Sequence, residues 1–269
     1  MPYTFDHLDL IQETLRRSPF GLITDVDGTI SKIAPTPQEA RVSPSCRRYL
    51  NVLSRQLALV AAISGRSVSQ VRDMVRISGL VYIGNHGLER GVGNHTELPY
   101  RAGDSLKVVK SITKELAPLC SIPGVSIEDK GVTLTIHYRL SSQPQAVERE
   151  ILDSVKALAQ AKDFRVIRGK MAINLLPPVE INKGTATLEL IREYGLQGGL
   201  YLGDDLTDID AFRAMHTAAH NLNFQGFAIG VTGPETPEKL TLAADFTLNG
   251  VSDVERFLKW LTQSAPRPS

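Results

Sequence analysis

The sequence predicts an α/β protein: a Rossmann-like parallel sheet carrying an inserted, smaller α+β domain. Short apolar strands alternate with helices over the first ninety or so residues, which is typical of parallel sheets. From about residue 102 to 178 the strands come in adjacent pairs, and "TLTIHYR" alternates as a half-buried antiparallel strand does. Helix–strand alternation then returns. We therefore predict a core of residues 1–103 and 178–269 and a cap domain of residues 104–177.

The first half of the core is predicted from apolar spacing and from turn residues. Phe5, Leu8, Ile11 and Leu15 recur at helical spacing and predict an opening helix that Pro19 ends. The elements expected next are the strand "FGLIT", the helix "CRRYLNVLSRQ" capped by Ser43 or Ser45, the strand "LALVAAI", a helix over 68–75 and the strand "LVYIG".

The cap and the second half of the core are predicted in the same way. The cap should contain helices over 105–117 and 144–161 and the strands "GVSIEDK", "VTLTIHYRL", "FRVIRGK" and "MAINLL". The core should resume with a helix over 184–194, the strand "GLYLG", a helix from Thr207, the strands "AAHNLNF" and "FAIGV", and a last helix "VSDVERFLKWL". Trp260 on that last helix is expected to be a core residue.

The composition of the chain limits the classes of binding partner that we expect. The chain has 269 residues, 42% hydrophobic and 22% charged, with a formal net charge of +1, so nothing indicates nucleic acid or a membrane surface. Cys46 and Cys120 show no paired spacing, as in a reducing compartment. The N-terminal stretch carries acids and lacks a signal-peptide h-region. We expect a cytoplasmic protein, monomeric or weakly oligomeric, that acts on a small molecule.

Polar residues stand where the predicted strands end. Asp25 and Asp27, two apart after a buried strand, point to the same side and repel each other unless a positive charge lies between them. Open α/β sheets bind ligands outside the carboxyl ends of their strands. The other residues predicted at that edge are Ser64, Gly65, Arg66, Asn85, His86, Asp204, Asp205 and Asp208, with Lys183 just before a helix.

This set of side chains predicts phosphate chemistry around a hard cation. Carboxylates without a histidine or cysteine cluster favour Mg²⁺ over zinc. A lysine, a serine hydroxyl and backbone N–H groups beside such a cation are what a phosphoryl group requires. One aspartate can attack phosphorus to form an aspartyl phosphate, and a second can protonate the leaving oxygen.

Four motifs in order, "DVDGT", "SGR", "NKG" and "GDDLTD", resemble those of the haloacid dehalogenase superfamily of phosphatases, and the insertion resembles its subclass IIB cap. The stretches "YIGNHGLE", "EDKGVTLTIHYR" and "RGKMAINLLPP" are similar to trehalose-6-phosphate phosphatases. The resemblance spans nearly the whole chain. It implies a Mg²⁺-dependent hydrolysis of trehalose 6-phosphate to trehalose and phosphate.

The resemblance also implies roles for single residues. Asp25 would be the nucleophile and a metal ligand, and Asp27 the general acid/base, binding the metal through its backbone carbonyl. Ser64 would hold phosphoryl oxygens, and Lys183 would neutralise phosphate and order Asp25. Asp204 would complete the metal ligands, with Asp208 nearby, directly or through water. Substrate contacts would come from Gly28, Thr29, Gly65, Arg66, Asn85 and His86 in the core and from Glu128, Lys130, Arg168 and Lys170 in the cap.

One cap stretch departs from the family pattern. After "GKM" the family usually has an acid, an apolar residue and a basic residue, whereas here Asn174, Leu175 and Leu176 follow. The alternatives are therefore a phosphatase for another sugar phosphate (a glycosyl phosphoglycerate or a hexose phosphate), a non-catalytic sugar-phosphate sensor, or a phosphotransferase.

Several residues also have a purely structural interpretation. Asp205 is the weakest of the acids, because a helix start alone favours a negative charge. For His86 a structural role and a role in lining the substrate cleft are equally favoured, whereas for His137 a structural role is favoured. Glu128 and Lys130 would share a strand face, and their structural interpretation is an exposed ion pair without a role in binding.

Overall fold

The computed structural model describes residues 1–92, 95–98 and 102–266. Residues 93–94, 99–101 and 267–269, which the sequence assigns to the core, lie outside the described residues. By contacts the chain divides into two compact units: Met1–Ala34, Gln38–Thr96 and Ile181–Ser269 form the larger one, and Pro35–Pro37 with Glu97–Glu180 form the smaller one.

The helices in the described part of the chain are α1 (Leu8–Thr14), α2 (Pro44–Gln56), α3 (Val68–Val75), α4 (Ala102–Leu116), α5 (Pro144–Ala157), α6 (Lys183–Glu193), α7 (Asp208–Asn221), α8 (Glu238–Ala243) and α9 (Gly250–Ser264). The strands are β1 (Phe20–Thr24), β2 (Leu59–Ile63), β3 (Val81–Gly84), β4 (Glu89–Val92), β5 (His95–Glu97), β6 (Ser126–Asp129), β7 (Leu134–His137), β8 (Arg165–Gly169), β9 (Ala172–Leu176), β10 (Gly198–Gly203), β11 (Gln225–Thr232) and β12 (Phe246–Asn249). None of the described helices is long and apolar enough to cross a bilayer.

The larger unit is a sheet with helices on both faces, as the sequence predicts. Over the described residues its strand order is β12-β11-β10-β1-β2-β3-β4-β5, and every pair from β12 to β3 is parallel. Alternate residues of one strand enter opposite cores: Leu22 belongs to the core that includes residues of α1, α2, α3 and α9, and Ile23 to the core that includes residues of α6, α7 and α8. Burial on both faces explains why β1 and β10 read as continuous apolar runs.

The smaller unit has two layers. Its sheet, in the order β6-β7-β9-β8, is antiparallel throughout. One face of that sheet supplies Leu134, Ile136, Ile173 and Leu175 to a core shared with α4 and α5. Thr135 and Asn174 alternate with these residues and so lie on the opposite face.

Most predicted elements are confirmed to within a few residues, and the helix over 68–75 has its predicted ends. The strand "AAHNLNF" is wrong, because α7 continues to Asn221 with Ala218 packed in its core at helical spacing from Met215. The opening helix begins at Leu8, after a short 3-10 turn, and the predicted 144–161 helix ends at Ala157. Trp260 is only partly buried against the core.

Gly84 allows β3 and the start of α3 to approach each other closely. A Cβ on Gly84 would lie 2.4 Å from the backbone nitrogen of Val68 and 2.9 Å from the carbonyl oxygen of Arg66. Both are backbone atoms, so they cannot move aside as a flexible side chain can. The loop that carries Ser64, Gly65 and Arg66 therefore depends on a residue without a side chain at position 84.

Gly84→Ala should lower the free energy of unfolding by about 1–3 kcal/mol, because overpacking against fixed backbone strains both segments. Urea denaturation measures this loss. Gly233→Ala is the matched control: a Cβ there meets nothing within 4 Å, and its effect should stay within about 0.5 kcal/mol. Equal stability of the two variants would contradict the close approach at Gly84.

Candidate active site

The first and the last acidic motifs follow neighbouring strands. β1 pairs with β10 in parallel, with Thr24 opposite Leu202, so Asp25 and Asp204 each lie beyond the carboxyl end of its strand. The backbone N–H of Asp25 donates to the carbonyl of Leu202 at 2.8 Å, which continues the pairing one residue further. Asp25 and Asp204 are both buried. Parallel pairing therefore places two carboxylates side by side at one edge of the sheet.

Lys183 lies between two of the acids. Its Nζ donates to Asp25 Oδ1 at 2.6 Å and to Asp208 Oδ1 at 2.7 Å, and its side chain is 3% exposed. Lys183 is the first residue of α6, whose N-terminus is capped by the side chain of Asn182. A cation is unfavourable at that end of a helix. The two buried carboxylates offset this cost and fix where the ammonium lies.

The carboxylate of Asp208 accepts four hydrogen bonds. Its Oδ1 accepts from Lys183 and from the Tyr201 hydroxyl at 2.8 Å. Its Oδ2 accepts from the backbone N–H groups of Asp204 and Asp205, both at 3.0 Å. A carboxylate has about four acceptor positions, so the four donors occupy all of them. This arrangement makes Asp208 a residue that orients Lys183 and the loop at Asp204.

Three buried acids and one lysine leave an excess of negative charge. One carboxylate oxygen each from Asp25, Asp204 and Asp208 lies within 4.8 Å of the other two. Burial raises the pKa of Asp25 well above its usual value; Lys183 acts against this, and the two neighbouring acids add to it. Burial alone would lower the pKa of Lys183, but Asp208 and Asp25 raise it. The all-oxygen donor set and the uncompensated charge fit a hard divalent cation.

The "DVDGT" turn closes over Asp204. Gly28 has φ +91°, and a Cβ on it would lie 1.8 Å from Asp204 Oδ2. The hydroxyl of Thr29 donates to the other oxygen of Asp204 at 3.3 Å. Gly28 and Thr29, predicted as substrate contacts, therefore touch the Asp204 carboxylate, and glycine is required at 28 by both its φ and this contact.

The "SGR" and "GNHG" motifs form one joined structure. The N–H of His86 donates to the carbonyl of Ser64 at 2.9 Å, and the N–H of Asn85 donates to the carbonyl of Arg66 at 2.7 Å. Asn85 and His86 both have left-handed backbone conformations, with φ of 49° and 60°, which are strained for residues with side chains. A Cβ on Gly65 would lie 2.6 Å from the His86 ring. Buried His86 thus packs over the loop that holds Ser64.

Asp27 is paired with Arg66. The guanidinium Nε donates to Asp27 Oδ2 at 2.7 Å and Nη2 donates to Oδ1 at 2.8 Å. The side chain of Asp27 thus points to the "SGR" loop, although Asp27 is only two residues from Asp25. The sequence predicts Arg66 beside a substrate, and the contact seen in the structure is with a carboxylate of the chain itself.

The predicted cap residues lie in the smaller unit and make contacts there. Glu128 Oε2 is 2.9 Å from His137 Nε2 and 3.7 Å from Lys130 Nζ. Arg168 pairs with Glu148 at 2.6 Å and is largely exposed. The Lys170 carbonyl accepts from an arginine side chain.

Two residues of the larger unit were missed by sequence reasoning. Tyr201 lies within the apolar run of β10, and the available signal was that a buried tyrosine hydroxyl needs a hydrogen-bond partner. Glu89, which is buried, accepts from the N–H of Val68 at 2.8 Å and so caps α3. No feature of the sequence marks that role, because Glu89 is 21 residues from Val68.

A doubly covered parallel sheet with an α+β insertion and acids at its strand tips defines a protein of the haloacid dehalogenase fold. A subclass IIB sugar phosphatase of that superfamily shares this fold, with a TM-score of 0.55 and 17% identity over 90% of this chain and 98% of the other. The C-terminal domain of a Candida albicans trehalose-6-phosphate phosphatase superposes with a TM-score of 0.82 and 22% identity, covering 97% and 98% of the two chains.

The sequence matches the family described as Trehalose-phosphatase over residues 23–246. The chain belongs to this family, whose named members are phosphoric monoester hydrolases. It is 29% identical to "Probable trehalose-phosphate phosphatase 3" of rice (Oryza sativa subsp. japonica) over 89% of this chain and 68% of that protein. It is 30% identical to a trehalose-phosphate phosphatase of Mycobacterium leprae over 98% of this chain and 62% of that protein. The chain thus spans about two thirds of these relatives.

Asp25→Asn should make the metal-free protein more stable at neutral pH. The pKa of Asp25 is raised in the folded protein. The stability that comes with a protonated Asp25 is therefore complete below the unfolded pKa near 3.8, and it is lost as pH rises through the folded pKa and the buried carboxylate becomes charged. The variant lacks this loss, and its amide oxygen can still accept from Lys183. Its advantage, measured by urea denaturation in EDTA, should be small near pH 4 and larger at pH 7.

Asp253→Asn is the control with the opposite sign. Burial acts to raise the pKa of Asp253, but hydrogen bonds from Tyr3, the Asn249 backbone and Arg256 hold that pKa below its usual value. Its contribution is present above pH 3.8 and is lost as pH falls through the folded value, so this variant should be less stable at pH 7 and approach the parent in acid. The same pH trend in both variants would contradict the assignment for Asp25.

Proposed function

We propose that this chain is a Mg²⁺-dependent phosphatase that hydrolyses trehalose 6-phosphate to trehalose and phosphate through an aspartyl phosphate on Asp25. The observation that carries the proposal is Lys183, buried between Asp25 and Asp208 beside a third acid at the tips of parallel strands. A structural ion pair needs one carboxylate for one lysine. Two acids on one lysine, with Asp204 next to them, favour a site built to receive a cation and a phosphoryl group.

Asp25 and Asp204 would hold the Mg²⁺ through their side chains and Asp27 through its backbone carbonyl. When bound, the ion would supply positive charge that stabilises the phosphoryl oxygens. The four donors on Asp208 leave it to orient Lys183. Lys183 stays protonated, holds the Asp25 carboxylate in one orientation and adds positive charge beside it.

In the proposed reaction a carboxylate oxygen of Asp25 forms a bond to phosphorus while the bond from phosphorus to the sugar oxygen breaks. Asp27 gives a proton to that oxygen and later takes one from the water that attacks the aspartyl phosphate. The second attack releases phosphate and restores Asp25. The Ser64 hydroxyl, held beside the Arg66 N–H at 3.1 Å, would hydrogen-bond a phosphoryl oxygen.

The choice of trehalose 6-phosphate rests on the family and on the cap, to which we assign Glu128, Lys130, Arg168 and Lys170 as sugar contacts. Closure of such a cap would exclude water while the leaving group is present.

A second candidate, a phosphatase for another sugar phosphate, is favoured by the departure at residue 174. Asn174 is buried, and its amide oxygen accepts from the hydroxyl of Thr135 at 2.8 Å. A neutral amide tied to a neighbouring strand recognises fewer donors than an acid does.

A phosphate-release assay should separate the two candidates. Trehalose 6-phosphate, glucose 6-phosphate and a glucosyl phosphoglycerate are compared with and without Mg²⁺. Trehalose 6-phosphate should exceed the others in kcat/KM by about 100-fold or more, because a hydrogen-bonding cap rejects ligands that leave its groups unpaired. Activity should be lost in EDTA and return with Mg²⁺. Equal rates on all three would rule out the trehalose assignment, and release of one phosphate per chain would indicate a sensor.

Asp25→Asn should lower turnover by at least about 10³-fold, since the amide cannot form the aspartyl phosphate. Rapid acid quench with ³²P-labelled substrate should leave label on the parent protein and none on the variant. Asp9→Asn, at an exposed acid of α1, is the control and should behave as the parent does. Label that persists on the Asp25 variant would exclude Asp25 as nucleophile.

A further inference from the structure

Arg66 and Asp27 form a bidentate ion pair in the larger unit. Two guanidinium nitrogens donate to the two carboxylate oxygens at 2.7 and 2.8 Å, and the side chains of Arg66 and Asp27 are 12% and 29% exposed. Paired in this way, the planes of the guanidinium and the carboxylate fix each other. A point charge on a flexible stem, such as lysine, would not impose that geometry.

The backbone of Arg66 is itself fixed on both sides. Its N–H donates to Ser64 Oγ at 3.1 Å, and its carbonyl accepts from the N–H of Asn85 at 2.7 Å. Directly after it, Ser67 and Gln70 form a capping box at the start of α3. Arg66 therefore extends from an anchored loop, and its guanidinium can serve as a fixed reference for a neighbouring group.

Asp27 is held less firmly by its own segment. The turn around it is closed by the N–H of Gly28 donating to the carbonyl of Ser31 at 2.7 Å and by the N–H of Ile30 donating to the carbonyl of Val26 at 3.1 Å. These bonds fix the backbone, whereas the direction of the carboxylate depends on side-chain rotation. The two donors of Arg66 set that direction.

We propose that Arg66 is a positioning residue for Asp27, holding its carboxyl group so that a proton on an oxygen lone pair that Arg66 leaves free passes to the leaving sugar oxygen. This rests on the function proposed above, in which Asp27 is the general acid/base. It departs from the sequence-based expectation that Arg66 contacts the substrate. Arg66 acts on the reaction through Asp27, and its loss impairs only steps that need Asp27.

That distinction has a kinetic signature. A sugar alkoxide is a poor leaving group and needs the proton from Asp27, whereas p-nitrophenolate leaves without one. Loss of Arg66 should therefore lower kcat on a sugar phosphate by about 10- to 100-fold, as a misplaced catalytic group does, with little change in KM. Because the second step, in which Asp27 activates water, is common to both substrates, the comparison is made on single-turnover formation of the aspartyl phosphate, where the effect on p-nitrophenyl phosphate should be several-fold smaller.

The test is a double-mutant cycle of Arg66→Gln, Asp27→Asn and both together, measured with Mg²⁺ on the sugar phosphate that the parent turns over fastest and on p-nitrophenyl phosphate. On the sugar phosphate the double variant should be no slower than Asp27→Asn alone, because Arg66 has no further route to the reaction. Arg66→Lys should be impaired like Arg66→Gln, because a lysine ammonium would not fix the plane of the carboxylate. If the losses of the two single variants multiply in the double variant, or if KM rises equally for both substrates, Arg66 contacts the substrate and the proposal is overturned.

Arg90→Gln is the matched control. Arg90 makes a bidentate pair with Glu193, at 2.5 and 2.6 Å, in the same unit and more exposed to solvent. Its removal should leave the ratio of the rates on the two substrates unchanged. This result separates the loss of orientation from the loss of an ion pair as such. A shift of that ratio in Arg90→Gln equal to that in Arg66→Gln would also overturn the proposal.

A spectroscopic readout is independent of turnover. In ¹⁵N-labelled protein the Arg66 Nε–H, which donates to Asp27 Oδ2, should give a slowly exchanging, downfield resonance that is lost in Asp27→Asn. Its absence in the parent would overturn the proposal even if the enzyme is a sugar phosphatase. If the pair is present but the parent hydrolyses no sugar phosphate, the proposed function fails, and the positioning role fails with it.

Discussion

The pair of buried hydrogen bonds from Lys183 to Asp25 and Asp208 is the constraint on which the rest of the site depends. Removing the lysine would leave two buried carboxylates without their cation, and breaking a buried ion pair in this way costs about 3–5 kcal/mol, so the cluster depends on the ammonium. Several neighbouring groups support this cluster. The Tyr201 hydroxyl and two backbone N–H groups donate to the remaining acceptor positions of Asp208, and the side chain of Asn182 caps the helix that carries Lys183. The arrangement favours binding over stability, since three acids facing one ammonium repel each other until a further cation joins them.

The fold supplies this constraint through the carboxyl ends of parallel strands. β1 and β10 are adjacent and in register at Thr24 and Leu202, so residues far apart in sequence end at the same height. Two glycines then allow segments to approach closely: Gly28 lies against Asp204, and Gly84 lies against the start of α3, where a side chain would prevent the contact. The loops at this edge of the sheet are thus built from backbone contacts, while the acids and the lysine are side chains held by one another.

Much of this could be predicted from the sequence, and what could not has physical reasons. The strands buried on both faces and the amphipathic helices were readable because burial leaves a periodic apolar pattern. β4 and β5 were missed because "ERGV" and "HTE" hold one apolar residue between them, and α8 and β12 because they have only six and four residues. The acids at the strand tips were predicted by position, but not which of them would be saturated by donors. That depends on three-dimensional partners: nothing near Asp208 in sequence indicates that it accepts from Lys183, 25 residues away, which also donates to Asp25.

The order of elements along the chain has a consequence for how this protein is made. The central strand β1 is flanked by β2, which follows soon after it, and by β10, which the ribosome adds only after the whole inserted unit. A nascent chain that stops before residue 183 holds Asp25 on a strand with one open edge and with no ammonium beside it. Contacts this distant in sequence form slowly, while the insertion has a core of its own. Synthesis therefore favours an order in which the smaller unit forms its core first and the cluster of Asp25, Lys183 and Asp208 forms last.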